Sequence, residues 1–429
     1  MLNKRIWTWL YQTATWLILV LLLITLPLLR LIKPKFAKWF RMRFWPEPVF
    51  FQPQLWFHAV SLGEVKVARS LIRYQAGQGF LDPQKLLVTT ATQAGYHFLI
   101  DEFGRDHIRY LPWDTAFCYR RLFRNCKVPN LVVIETEIWP GLFSIVKQAS
   151  QAVAIVNGRM SARTAKLRKN PLFRQTLSMV DLVAARDEVD CERYLQFGLP
   201  PAKVVVTGNI KFDFKPNSLK DETFLRWLNL PGPLIIFASI AGDEVGLLSR
   251  QAESLLALDE KPRILWAPRH LRNLKTHIQG LAKLKPGLRS HLHPNPDETE
   301  RMLILDSFGE LSACYSHAEL SLIGGSFNAR GGQNFLESLQ AGTPAVMGPF
   351  SENFKAEVDE ALKAGAILCL GSPADVAPTL ATMLRNPNKL KEMSNRARDF
   401  LNKHTGAIAR STNLLVDLDI LNKPPSEDT

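Results

Sequence analysis

Residues Gln54–Tyr74 read "QLWFHAVSLGEVKVARSLIRY". Leu55–Val60 is an apolar run of strand length, and from Glu64 to Tyr74 the apolar positions recur at helical spacing. An apolar run, a short polar turn and an amphipathic helix make up the repeating unit of a parallel sheet with crossover helices. The unit recurs downstream. "KLLVTT", "NLVVIE", "AVAIVN", "DLVAAR" and "KVVVTG" read as further strands, with helical patterns over Gln93–Glu102 and Ile138–Gln148. Together they predict one Rossmann-like domain over residues 44–212. The polar stretch "DFKPNSLKDET" (Asp213–Thr223) reads as a linker. Beyond it "LIIFAS", "RILWAP", "MLILDS", "LSLIGG", "TPAVMG" and "AILCL" predict a second such domain over residues 213–387, then a helical tail over 388–429. The expected fold class is α/β, with two doubly wound domains in tandem, and ligands expected outside the carboxyl ends of the strands.

Composition narrows the partners. The 429 residues include 53 Lys+Arg against 40 Asp+Glu, a formal net charge of +13, which favours an anionic partner: nucleic acid, anionic lipid or a phosphorylated substrate. The five cysteines (Cys118, Cys126, Cys191, Cys314, Cys369) have no CxxC or zinc spacing, so reduced thiols are expected. There is no G-x-G-x-x-G after the first strand, no GxxxxGK[ST] loop, no G-x-S-x-G elbow and no HExxH. Nicotinamide, P-loop, hydrolase and zinc-protease readings therefore lose their main support.

The N-terminus carries an apolar stretch. Trp16–Leu29 has no charge, and with Ile6–Tyr11 ahead of it the segment approaches the roughly 20 residues that cross a bilayer core. Lys4 and Arg5 precede it, while Arg30, Lys33, Lys35, Lys38, Arg41 and Arg43 follow it. Excess positive charge marks the cytoplasmic side, so residues 1–43 are expected to be an anchor with a basic collar, and the body of the protein to face the cytosol. An anchor lying in the membrane interface is the alternative.

Polar residues cluster at the predicted strand ends. Glu64 follows Gly63 at a helix start, where a carboxylate serves either chemistry or simply the helix dipole. Glu135 and Glu137 end "IETEIWP"; in an extended chain they share a face and raise one another's pKa. "NGRMSARTAKLRKNPLFR" (Asn157–Arg174) carries Arg159, Arg163 and Lys166 at helical spacing and no acid, which suits either a solvated face or phosphates at a membrane surface. Lys211 in "TGNIKFD" falls at the expected hinge between the domains and Arg269 in "APRH" at a strand end of the second; each serves either as a surface charge or, in a cleft next to glycines, as part of an anion site. In Ile323–Phe354, Gly331 and Gly332 are read as opening a helix, with Asn334 and Glu337 a turn apart, an arrangement suited to a nucleotide's phosphate and ribose.

The ordered series "SLGE", "TTATQAG", "IETEIWP", "NGRMSARTA", "TGNIKFD", "APRH", "SFGE", "GGS…RGGQNFLE" and "MGPFSENF" resembles the transferases of 3-deoxy-D-manno-octulosonic acid (Kdo), along nearly the whole chain. The resemblance implies a GT-B fold, two Rossmann-like domains facing across a cleft behind an N-terminal membrane-anchor helix. It implies metal-independent transfer of Kdo from CMP-Kdo to a phosphorylated lipid A precursor at the bacterial inner membrane, with no cofactor and no nucleic acid. By the same resemblance Glu64 is the general base, and Glu135 and Lys211 stabilise the transition state. Pro268, Arg269, Phe308, Gly309, Glu310, Asn334, Phe335, Leu336 and Glu337 then hold CMP, with Lys211, Arg269 and helix-start amides expected to meet the charge on the departing phosphate. Arg159 and Arg163 are expected to take the acceptor. The chain departs from the family pattern at Ala241 and Gln333, where histidine is common; glutamine still donates and accepts hydrogen bonds. The competing readings are a GT-B transferase of another nucleotide sugar, an epimerase of the same architecture, and a non-catalytic membrane-tethered relative.

Overall fold

A computed structural model describes residues 2–215 and 218–423. Pro216 and Asn217, within the expected linker, lie outside them, as do residues 424–429 and the side chains of Lys4 and Arg5. The chain forms two compact units, residues 1–213 with 405–429, and residues 214–404.

The first unit holds a seven-stranded parallel sheet: β1 (Leu55–His58), β2 (Leu86–Thr90), β3 (Ile108–Tyr110), β4 (Asn130–Ile134), β5 (Val153–Gly158), β6 (Leu182–Ala185) and β7 (Val204–Val206). Their order is β3-β2-β1-β4-β5-β6-β7. Phe57 of β1 lies beside Val88 on one side and Val132 on the other. Helices cover both faces, so the central strands are apolar at nearly every position rather than alternating. The order reverses between β1 and β4, and the crevice of such a sheet opens at their carboxyl ends.

Two helices precede the sheet, α1 (Leu2–Ile32) and α2 (Pro34–Phe44), and α3 (Leu62–Gly77) follows β1. One buried carboxylate ties α1 to the unit. Asp114 accepts hydrogen bonds from Gly141 N (2.8 Å) and Leu142 N (2.7 Å), at the start of the helix Pro140–Gln148. It also accepts from Tyr119 Oη (2.8 Å) and Tyr11 Oη (2.7 Å). Burial nevertheless pushes its carboxyl above the ordinary range. Arg43, expected in the basic collar, is buried instead: its Nε donates to Leu111 O at 2.8 Å, and the guanidinium lies over the rings of Trp39 and Trp113.

The second unit repeats the architecture with β8 (Leu234–Ile240), β9 (Arg263–Pro268), β10 (Gly287–Leu288), β11 (Met302–Ile304), β12 (Leu320–Ile323), β13 (Ala345–Met347) and β14 (Ile367–Cys369). The order is β10-β11-β9-β8-β12-β13-β14, reversing between β8 and β12. The strands β3 and β10 are additions to the expected set; β3 reads Ile-Arg-Tyr and β10 Gly-Leu, so neither lies in an apolar run. The segment expected as one helical tail is split. Pro387–His404 belongs to the second unit, whereas Ala407–Asp417 belongs to the first. Its buried face (Ile408, Ser411, Thr412, Leu415) meets α3, where Gln75 Nε2 donates to Thr412 Oγ1.

Candidate active site

At the carboxyl end of β1 the backbone turns into α3 through Ser61, the residue that caps the helix. Ser61 Oγ accepts from Glu64 N (3.2 Å) and donates to Glu64 Oε1 (2.8 Å), while Glu64 Oε2 accepts from Val60 N (2.8 Å). This is a variant of the capping box: the serine satisfies the first-turn amide of Glu64, and the glutamate three residues on reaches back to the amide of Val60, just ahead of the cap. The dipole reading of Glu64 thus holds in the structure, and it fixes the side chain's rotamer at the mouth of the crevice. Burial pushes the carboxyl above its usual range against those hydrogen bonds, and the Glu135 charge pushes the same way. Gly63 beside it is exposed; a Cβ there would meet nothing nearer than Ser61 Oγ at 3.7 Å.

At the end of the neighbouring β4, Glu135 adopts a left-handed conformation (φ 61°) while its N–H still donates to Val156 O at 3.0 Å. The chain therefore bends at Glu135, and the expectation that Glu135 and Glu137 share one face of an extended strand is not met. The bend sends the two side chains to different partners. Glu135 Oε1 accepts from Lys211 Nζ at 2.9 Å, with both side chains largely buried. Glu137 Oε2 accepts from Trp139 Nε1 at 2.7 Å, and burial, with the Glu64 charge next, raises its pKa from 4.5 to about 7. The cluster thus has one acid neutralised by an ammonium and two held above the ordinary carboxylate range.

Lys211 lies on the 3-10 turn Ile210–Asp213, held by a residue given no role in the sequence reading. Asn157, fully buried at the end of β5 with φ 56°, accepts from Ile210 N through Oδ1 at 2.9 Å. Its signal was the Asn-Gly pair ending a strand. Asp213 closes the turn by accepting from Gly406 N (2.6 Å) and Ile408 N (2.7 Å).

The basic run does not form one helical face. Arg159 sits just past β5, Ser161 caps the four-residue helix Ala162–Ala165 that carries Arg163, and Lys166 begins a 3-10 turn. The Ser161 cap interrupts the helical spacing that the sequence suggested. Arg159, Arg163 and Lys166 are all exposed.

In the second unit the crevice between β8 and β12 is organised by Glu244, another residue that carried no sequence assignment. Its fully buried carboxylate accepts from Ala241 N (2.9 Å), Gly325 N (2.7 Å) and Phe327 N (3.0 Å). It thereby ties the end of β8 to the glycine loop after β12. Gly325 (φ 67°) packs against Gln333, whose Nε2 would lie 2.8 Å from a Cβ there. The short helix begins only at Leu336, so Gly331 and Gly332 lie in the preceding loop rather than at its first turn. Asn334 Nδ2 donates to Glu337 Oε1 at 3.2 Å, as the one-turn spacing implied. Phe335 and Leu336 point into the core, which leaves only their backbone for a ligand. Pro268 ends β9; just beyond it, burial pulls the Arg269 guanidinium below its ordinary pKa, and the Glu337 charge acts against that shift. Glu310 accepts from Arg289 at 3.0 Å and from Ser307 Oγ, behind Gly309 and the exposed Phe308. Among the described residues no group of three or more His, Cys, Asp or Glu is placed to hold a metal ion.

A family model described as "3-Deoxy-D-manno-octulosonic-acid transferase (kdotransferase)" matches residues 38–214. The 3-deoxy-D-manno-octulosonic acid transferase of Haemophilus influenzae is 31% identical over 370 residues, covering 84% of this chain and 86% of its own length. That of Bordetella pertussis is 30% identical over 375 residues, covering 85% and 87%. Among solved structures, UDP-GlcNAc 2-epimerase from Neisseria meningitidis bound to UDP-GlcNAc aligns with a TM-score of 0.57 at 12% identity, covering 85% of this chain and 99% of that one. At that identity the likeness is one of fold.

Proposed function

Because the chain belongs to the Kdo transferase family of glycosyltransferases, we propose that it moves Kdo from CMP-Kdo to a phosphorylated lipid A precursor on the cytoplasmic face of the inner membrane. The observation that carries this reading is the position of Glu64, fixed by its capping box at the β1/β4 crevice beside the Glu135–Lys211 pair.

The chemistry follows from these groups. An acceptor hydroxyl is a poor nucleophile at neutral pH, and a carboxylate within hydrogen-bond reach that removes its proton contributes roughly 10² to 10⁴ in rate. Glu64 is that base: its raised pKa brings its basicity closer to the working pH. The hydroxyl oxygen forms the new bond to the anomeric carbon of Kdo, and the bond to the phosphate oxygen breaks with its electron pair leaving on CMP. Glu135 acts through Lys211, holding the ammonium in place to stabilise developing negative charge without reorganisation. We read the reaction as metal-independent, so EDTA should leave the rate unchanged. Glu244 and the Asn334–Glu337 pair shape the donor-binding loops, and the exposed Arg159 and Arg163 take phosphates of the acceptor.

The epimerase-like fold alone would also suit a nucleotide-sugar epimerase. The test is the purified chain incubated with CMP-Kdo and lipid A precursor, with products read by mass spectrometry. Mass added in Kdo units supports the reading; unmodified acceptor with intact enzyme overturns it.

A further inference from the structure

The N-terminal helix is long and apolar enough to cross a membrane over Leu10–Pro27. At 1.5 Å per residue that window is about 27 Å long, close to the roughly 30 Å of a bilayer core. A helix that crosses must place its two ends on opposite sides. In this structure both ends are fastened to the same folded unit.

Near its start, Tyr11 donates to Asp114 Oδ2 and Gln12 Nε2 donates to Asp114 O at 3.2 Å. Trp16 packs on Phe117 with ring centroids 6.0 Å apart. Both Tyr11 and Gln12 fall inside the apolar window. At the other end the chain turns at Lys33 into α2, which is bound to the unit through buried Ala37 and Phe40, Trp39 Nε1 on Ala91 O (2.9 Å) and Arg43 on Leu111 O. Placing Leu10–Pro27 across the hydrocarbon would carry Asp114 and its partners into the bilayer.

The surface of α1 is divided accordingly. Gln12, Thr15, Leu22 and Leu26 are half-buried on one stripe around Leu19, which is fully buried. A second stripe is bare, Leu17, Leu21 and Ile24 at 4- and 3-residue spacing and Leu31 two turns on: Leu17 is 68% exposed, Leu21 63%, Ile24 71% and Leu31 83%. An apolar face left open on a docked helix needs an apolar partner. Charge says which one. Exposed Arg30, Lys33, Lys35, Lys38 and Arg41 follow this face along the chain, at the end of α1 and on α2, and the first acidic residue of the chain is Glu47. An apolar stripe followed by bases and free of acids matches one leaflet of an anionic bilayer, with acyl chains against the stripe and headgroup phosphates against the bases.

Building on the proposed membrane association, we infer that α1 is a monotopic element that lies in the cytoplasmic leaflet and does not span the membrane, so that the N-terminus and the folded units share one side. Asp114 is its dock on the protein side.

The experiment uses the full chain with an epitope tag ahead of Met1, treated with protease in intact spheroplasts and in inside-out vesicles. Cleavage of the tag only in inside-out vesicles is the expected result; cleavage in intact spheroplasts overturns the inference. If the protein does not sediment with membranes in either preparation, the membrane reading itself fails, which is a different outcome. A second measurement guards against an ambiguous tag. Leu17→Asp and Ile24→Asp change exposed positions and should leave the thermal unfolding midpoint in place. They should weaken binding to phosphatidylglycerol-containing vesicles by about tenfold or more, since a charge displaces apolar contact. Unchanged vesicle binding by both variants overturns the inference.

Discussion

The Lys211 ammonium stands 2.9 Å from Glu135 Oε1, on a turn that Asn157 holds from the end of β5. The pair neutralises one of three neighbouring carboxylates and leaves Glu64 and Glu137 to titrate upward. Removing one partner leaves the other charge largely buried and unpaired. We expect Lys211→Met and Glu135→Gln each to lower kcat at least about a hundredfold, and the double variant to lose little more than either alone, because residues acting as a unit are not additive. Steady-state kinetics on the four proteins checks this; losses that add in free energy would separate the two residues.

Glu137 gives a stability prediction with a definite sign. Its folded pKa of about 7 lies above the ordinary 4.5, so between those values the folded state binds more protons than the unfolded state. Its contribution to stability is therefore complete below pH 4.5 and is lost as pH rises through about 7. The full shift corresponds to roughly 3 kcal/mol as an upper bound. Glu137→Gln should be relatively more stable than the parent at pH 8 than at pH 5, measured by urea unfolding at both pH values. An identical difference at the two pH values would contradict the assignment.

Glu244 satisfies three buried amides, and each amide left unpaired costs about 1–3 kcal/mol. Glu244→Ala is expected to destabilise the protein by several kcal/mol, on the order of 3 or more. Glu244→Gln keeps part of the acceptor set and should fold, with CMP affinity reduced about tenfold and acceptor KM little changed. Calorimetric titration with CMP tests this; unaltered affinity in Glu244→Gln would free the loop from that role.

Gly63 has room for a methyl group, so Gly63→Ala should not strain the fold and is expected to stabilise it by about 0.4–1 kcal/mol through the unfolded chain. If the gap admits the acceptor, the same variant raises acceptor KM severalfold while stability rises. Unchanged kinetics would leave the glycine without a functional reason.

Arg159 and Arg163 are exposed, so Arg159→Ala with Arg163→Ala should leave stability within about 0.5 kcal/mol. Acceptor KM should rise more than donor KM. A donor effect as large as the acceptor effect would contradict acceptor recognition there.

Much of this was legible from the chain alone. Twelve of the strands announce themselves as apolar runs because both sheet faces are covered, and "SLGE" contains its own capping box. Lys211 and Glu135 are 76 residues apart, and their pairing is visible only once β4 and the turn after β7 are brought together. The left-handed backbone at Glu135 reverses the same-face argument for Glu137, because a period of two assumes an extended chain. Glu244 was silent in sequence for a related reason: its partners are backbone amides, two of them more than 80 residues away. The apolar character of the N-terminal helix was legible, but its docking depends on Asp114, about a hundred residues downstream.

Glu64 has two roles, cap and base, and Glu64→Gln separates them. Glutamine also serves at the last position of a capping box, so α3 should stay capped and the unfolding free energy should fall by no more than about 1 kcal/mol. It does not accept a proton at neutral pH. The decisive measurement is the initial rate of Kdo transfer from CMP-Kdo to lipid A precursor by purified Glu64→Gln and wild type, alongside CMP affinity. The expected result is a rate lowered by about 10² or more with CMP affinity unchanged. Transfer at the wild-type rate would show that Glu64 only caps its helix, and would contradict its assignment as the base.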